Sequence, residues 1–162
     1  MKVNLLNGGC CMILSFCGHA SFSATEALEK CLLKFLDGVI GQEPAFFYLG
    51  GYGAFDEFAY ATCKKYKETH PNVRLVYITP YITEEYQKKV LALETKRYDE
   101  IIYPEIENKP LRFAISYRNQ WMMEKADIVI AFVAHDWGGA YKSYQYAKRK
   151  GKRIFNLANT EP

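Results

Sequence analysis

Six short apolar runs recur along this chain, at residues 11–17 (CMILSFC), 45–49 (AFFYL), 73–78 (VRLVYI), 100–103 (EIIY), 127–133 (DIVIAFV) and 153–157 (RIFNL). Most are nearly free of polar interruptions. A strand with one wet face alternates apolar and polar residues, whereas a strand apolar on both faces must be covered on both, which is the condition of a parallel sheet flanked by helices. The segments between the runs supply those helices. Ser23 and Glu26 match the S-x-x-E capping box, and Ala27, Leu28, Cys31, Leu32, Phe35, Leu36 and Val39 follow at helical spacing, with Gly41 as terminator. Residues 55–70 read as a helix stopped by Pro71, residues 84–96 as one capped by Thr83, and residues 111–125 and 140–150 as two more, the last ended by Gly151. The expectation is an α/β fold: a doubly wound, mostly parallel, Rossmann-like sheet with helices on both faces.

At 162 residues the chain suits one domain of about 150, so residues 1–162 are read as a single unit. Its longest uninterrupted apolar run, residues 128–134, is seven long, far below the roughly 20 a helix needs to cross a bilayer. Residues 10–24 have a faint signal-peptide character, but Gly18 and His19 break the apolar stretch. Five cysteines form no C-x-x-C pair, as expected of free thiols in a reducing, cytoplasmic setting. A net charge of +3 makes no demand for nucleic acid or a membrane as partner, and neither is expected. Nothing in the pattern calls for a cofactor.

In an open parallel sheet, ligands bind beyond the carboxyl ends of the strands. Those ends carry Gly18 and His19, then Gly50-Gly51-Tyr52-Gly53, then Tyr81, then His135-Asp136-Trp137-Gly138-Gly139. Glycines between a strand and a helix let backbone N–H groups approach an anion, and the helix start adds roughly half a positive charge. A phosphate is the expected guest. Asp56 and Glu57 open the next helix, where carboxylates either complement its dipole or serve N-glycosidic chemistry by stabilising an oxocarbenium-like centre. Arg118, beside Asn119, carries the planar fork that phosphate recognition uses, and is otherwise a surface residue with a buried stem. Cys17 with His19 lacks a third group to orient a nucleophile, and His19 with His135 lacks a third ligand for a metal; no metal site is expected.

The runs FCGHA, YLGGYGAFDEFA, YITPY, YDEIIYPE, YRNQWMMEKADIVIAFV and GGAYKSYQYAKRKGKRIFNL together resemble the SLOG superfamily, nearest its small bacterial and prophage-type members. That superfamily includes the lonely-guy phosphoribohydrolases, which cleave nucleoside monophosphates, and domains that sense nucleotide-derived signals. The resemblance lays Arg118 on the hydrolases' arginine, Ala126-Asp127 on their strand start and Gly138-Gly139 on the glycine pair of P-G-G-x-G-T-x-x-E. This chain departs from that motif: Trp137 replaces the proline, Tyr141 the third glycine, Lys142 the threonine, and Tyr144 and Gln145 stand where glutamate is expected.

The resemblance therefore implies a protein that binds a nucleotide or nucleotide-derived signal such as an ADP-ribose-type molecule. The ligand site would comprise Gly18, His19, Gly50, Gly51, Gly53, Arg118, Asn119, Gly138, Gly139 and Lys142, with the phosphate at the glycine turns and Arg118 and the base against Tyr81 or Trp137. A phage-type protein of this kind would sequester the signal, and a homodimer is expected. The alternative is an enzyme, a phosphoribohydrolase or deoxyribosyltransferase, with Asp56 or Glu57 as stabiliser or nucleophile and Arg118 on the phosphate. A third reading is a module linked to nucleic acid, like the DNA-processing relatives of the superfamily.

Overall fold

The computed structural model describes residues 11–160; Cys10 and the residues before it lie outside that range. Six strands, β1 (Met12–Gly18), β2 (Ala45–Leu49), β3 (Val73–Ile78), β4 (Glu100–Ile102), β5 (Ile128–Phe132) and β6 (Arg153–Asn156), form one sheet in the order β4-β3-β2-β1-β5-β6. Every adjacent pair is parallel. Each connection is therefore a crossover. The helices are α1 (Glu26–Ile40), α2 (Ala54–Thr69), the short α3 (Glu84–Tyr86) and α4 (Ala92–Glu94), α5 (Ala114–Lys125) and α6 (Gly138–Arg149).

Successive strand side chains point to opposite faces, and both faces are apolar here. Leu14, Phe16, Phe47, Leu49, Leu75 and Ile130 pack with Leu32 and Leu36 of α1 and Phe55 and Ala59 of α2. Cys17, Tyr48, Val76, Ile78, Val129 and Ala131 pack with Met122 and Met123 of α5 and Ala147 of α6. The polar exception in the middle of β1, Ser15, is fully buried and donates its hydroxyl to the Met122 carbonyl at 2.8 Å, tying α5 to the sheet.

Several sequence expectations shift. The Ser23 capping box does not form: α1 starts at Glu26, and Thr25 Oγ1 accepts from the Leu28 N–H at 3.2 Å. Both Ser23 and Thr25 precede the apolar periodicity, and only the nearer hydroxyl reaches an orphan donor of the first turn. The helix expected over 84–96 is divided by a π-helical stretch, Gln87–Leu91. The one expected from residue 111 begins as a 3-10 turn, Leu111–Phe113, and becomes α-helical only at Ala114. Leu111 and Phe113, whose spacing extended the apolar pattern, face solvent instead.

The chain steps outward from β1 through β2 and β3 to β4, then returns across the sheet to β5 on the other side of β1. That reversal opens a crevice between the carboxyl ends of β1 and β5.

Candidate functional site

A cavity of about 340 Å³ lies at this crevice. Its walls come from the loop after β1 (Gly18, His19, Ala20, Ser21), the turn after β2 (Gly50, Tyr52), the head of α2 (Asp56), α5 (Ile115, Arg118, Asn119) and the start of α6 (Trp137, Gly138, Gly139, Ala140). Gly51, Gly53, Glu57, Tyr81 and Lys142 do not line it.

Arg118 is 3% exposed. Its Nη1 donates to the carbonyls of Gly50 at 2.9 Å and Ile78 at 2.6 Å, and its Nε to Asn119 Oδ1 at 2.8 Å. The guanidinium thus clips the ends of β2 and β3 together. Its Nη2 makes no hydrogen bond among the described residues, and the residue lines the cavity. Burial lowers its pKa from the ordinary value, and Asp56 acts against that shift; an arginine nonetheless stays charged.

The turn after β2 is closed by its own carboxylate. Asp56 is 8% exposed, and its Oδ2 accepts from the Tyr52 N–H at 2.7 Å. A Cβ on Gly50 would stand 3.2 Å from both the Arg118 guanidinium and Asp56. Gly51 adopts φ +63 with Tyr77 Cε2 only 2.6 Å from where a Cβ would be, so glycine is required there by conformation and by space. Burial pushes the Asp56 carboxyl up to about 6; the Tyr52 N–H and then Arg118 oppose the rise, and Glu57 adds to it. A negative charge already occupies the anion position of this turn. Its glycines serve the turn itself, which the sequence could not distinguish from a phosphate cradle.

The start of α6 is different. No side chain caps it and no acidic residue stands in its first turn, so its first N–H groups have no partner within the helix. Gly138 has φ +89, a glycine conformation. Gly139 has no positive φ, and a Cβ there would meet nothing within 4 Å. Neither backbone nor packing demands glycine at that position. What its missing side chain does is open the helix start to the cavity.

Three rings stack beside it. His19 and His135 lie face to face at 3.5 Å, and His135 and Trp137 at 3.8 Å. The Ala134 N–H donates to His19 Nε2 at 3.0 Å, which places the proton of the neutral ring on Nδ1. Burial and then the neighbouring His135 lower the His19 pKa, so this histidine is held neutral. Cys17 is buried, and burial pushes its thiol up to about 12; it forms no nucleophile–base pair with His19. Trp137, by contrast, is 67% exposed. The stack was not legible from sequence because it needs β1 and β5 to be neighbours.

The remaining candidates lie elsewhere. Glu57 is held by Arg97, with Nη2–Oε2 at 2.7 Å and Nη1–Oε1 at 3.2 Å, and Arg97 itself stacks over the Tyr60 ring. Tyr81 borders a separate cavity near Thr83 and Tyr103. Lys142 borders a third, between α5 and α6.

This architecture, an all-parallel six-stranded sheet with helices on both faces and a cavity at its switch point, defines a Rossmann-like α/β domain. Two solved structures share it: DNA processing protein A (DprA) from Streptococcus pneumoniae, with TM-score 0.62 and 15% identity over 90% of this chain, and DprA from Helicobacter pylori, with TM-score 0.58 and 17% identity over 90% of this chain. The chain spans 50% of the first protein and 64% of the second. Neither a protein-family model nor a curated protein sequence matches it. The Helicobacter protein has a single-stranded DNA binding mode. Among the described residues, no helix is long and apolar enough to cross a membrane.

Proposed function

We propose that this protein binds a nucleotide or nucleotide-derived ligand in the cavity at the switch point. A phosphate sits on the uncapped start of α6, Arg118 Nη2 supplies charge from the opposite wall, and the base lies on the exposed face of Trp137. The observation that carries this reading is the Gly138-Gly139 pair. It combines a helix N-terminus that no side chain caps, a glycine that neither conformation nor packing calls for, and a place in the crevice where such folds take ligands. The SLOG resemblance of the sequence points the same way, and a phage-type role in sequestering a signal, as well as a homodimer, rests on that resemblance. Calorimetric titration and thermal shift with nucleoside monophosphates, ADP-ribose and cyclic ADP-ribose test it. At least one of them is expected to bind; no response to any of them overturns it.

One observation favours cleavage as a second reading. Asp56 is a buried carboxylate at the cavity wall whose Oδ1 makes no hydrogen bond among the described residues, and whose proton affinity is raised into the range useful for acid–base chemistry. It would stabilise a ribosyl cation or attack it. Release of free base from a nucleoside monophosphate, abolished in Asp56→Asn and retained in Glu57→Gln, supports this reading; intact nucleotide after prolonged incubation rejects it.

A further inference from the structure

The cavity does not end at the start of α6. A second one, of about 420 Å³, lies between α5 and α6 and shares Ile115, Asn119, Gly139 and Ser143 with the first. Each alone falls near the lower end of the roughly 300–1,000 Å³ typical of small-molecule sites, and together they reach its upper half. The second cavity is cationic: Lys142 and Arg149 line it, and no acidic residue does. Neither forms an ion pair among the described residues. Seven residues apart, they stand two turns from each other on one side of α6, about 10 Å along its axis. Gly139 lies a further three residues toward the N-terminus, so the helix start and the two cations form one row. The one acidic residue on the two helices that wall the groove, Glu124, is engaged by the Tyr146 hydroxyl and by Lys150.

We infer that the ligand carries at least two phosphates, and that the second, together with the chain joining it to the first, lies in the α5–α6 groove against Lys142 and Arg149. This inference rests on the proposed nucleotide site, since it continues from the phosphate on α6. It narrows the ligand from a mononucleotide to a dinucleotide-like molecule or a nucleotide strand, which share the same chemistry here. Lys142, which the sequence grouped with the first phosphate, belongs to the second.

The test compares wild type with the Lys142→Ala/Arg149→Ala double variant by calorimetry. The probes are AMP, ADP-ribose, a 5′-phosphorylated deoxyadenosine dinucleotide and a deoxythymidine decamer. In the wild type, at least one probe bearing two or more phosphates binds roughly tenfold tighter than AMP. The double variant loses that advantage and keeps its affinity for AMP. If the decamer is the preferred probe, the dependence of log K on log salt flattens in the variant by about 1.4, the contribution of two neutralised phosphates on a single strand. A preference for ADP-ribose or the dinucleotide over the decamer identifies a small ligand; the reverse identifies a strand. Equal affinity for AMP and all larger probes in wild type overturns the inference while leaving the first site standing. So does an equal loss for AMP and the larger probes in the variant. No binding of any probe, nor of the other nucleoside monophosphates and cyclic ADP-ribose that test the first site, overturns the proposed site and this inference with it.

Discussion

Replacing Asp56 with asparagine isolates the titration of a carboxyl group held in an unfavourable place. Asparagine keeps an oxygen that can accept the Tyr52 N–H but has no proton to lose. In the folded protein the Asp56 carboxyl ionises near 6 instead of its ordinary 3.8, so the native state holds a proton that the unfolded chain has released. Stability contributed by this group is fully present below the unfolded value and disappears as pH rises through the folded one. Each tenfold difference in proton affinity is worth about 1.4 kcal/mol, so the loss amounts to about 3 kcal/mol across that window. Urea unfolding of both proteins, followed by circular dichroism from about pH 3 to about pH 8, reads it directly. Wild type is expected to lose roughly 3 kcal/mol relative to Asp56→Asn as pH rises. A difference that stays constant with pH, or one that moves in favour of wild type, would refute the idea that burial outweighs Arg118 and the Tyr52 N–H at this site.

Other variants test other parts of the molecule. Gly18→Ala drives a methyl group into the Phe55 ring, a core overpacking expected to cost about 1–3 kcal/mol and to lower the melting temperature. Arg118→Met leaves the Gly50 and Ile78 carbonyls without their donor and is expected to cost about 2–5 kcal/mol in denaturant unfolding, with partial recovery in Arg118→Lys. Trp137→Ala removes an exposed ring, so stability should move by no more than about 0.5 kcal/mol, while nucleotide binding weakens. In wild type, the same binding should quench the Trp137 fluorescence and leave that of Trp121, stacked on Tyr48, unchanged.

Much of this architecture is written in local pattern. Apolar runs such as residues 127–133 cannot be solvated on either face, and the glycines at 50, 51, 138 and 139 mark strand-to-helix turns, so the class of fold and the edge that carries the ligands follow from residue order. What sequence did not reveal depends on which strands become neighbours and which way side chains turn. Arg118 reads as a surface phosphate ligand until α5 is packed on the sheet, where the Gly50 and Ile78 carbonyls and the Asn119 side chain take three of its five donors. Asp56 and Glu57 are adjacent and chemically alike, yet their neighbouring places on α2 send one into the cavity wall and the other to Arg97. The two glycine turns look equivalent as letters, but only one has an internal carboxylate on it. Tyr81 follows β3, which lies two strands from the switch point, and so borders a different cavity.

Amide chemical shifts during a titration with AMP give the most direct view of where a phosphate goes. The largest changes are expected at Gly139 and Ala140, with smaller ones at Gly50 and at the Arg118 side chain, and saturation should be lost in a Gly139→Asp variant that places a carboxylate at the helix start. Shifts confined to the turn at residues 51–53, or to the cavity around Tyr81, would contradict this arrangement, as would a Gly139→Asp protein that binds AMP as well as wild type does.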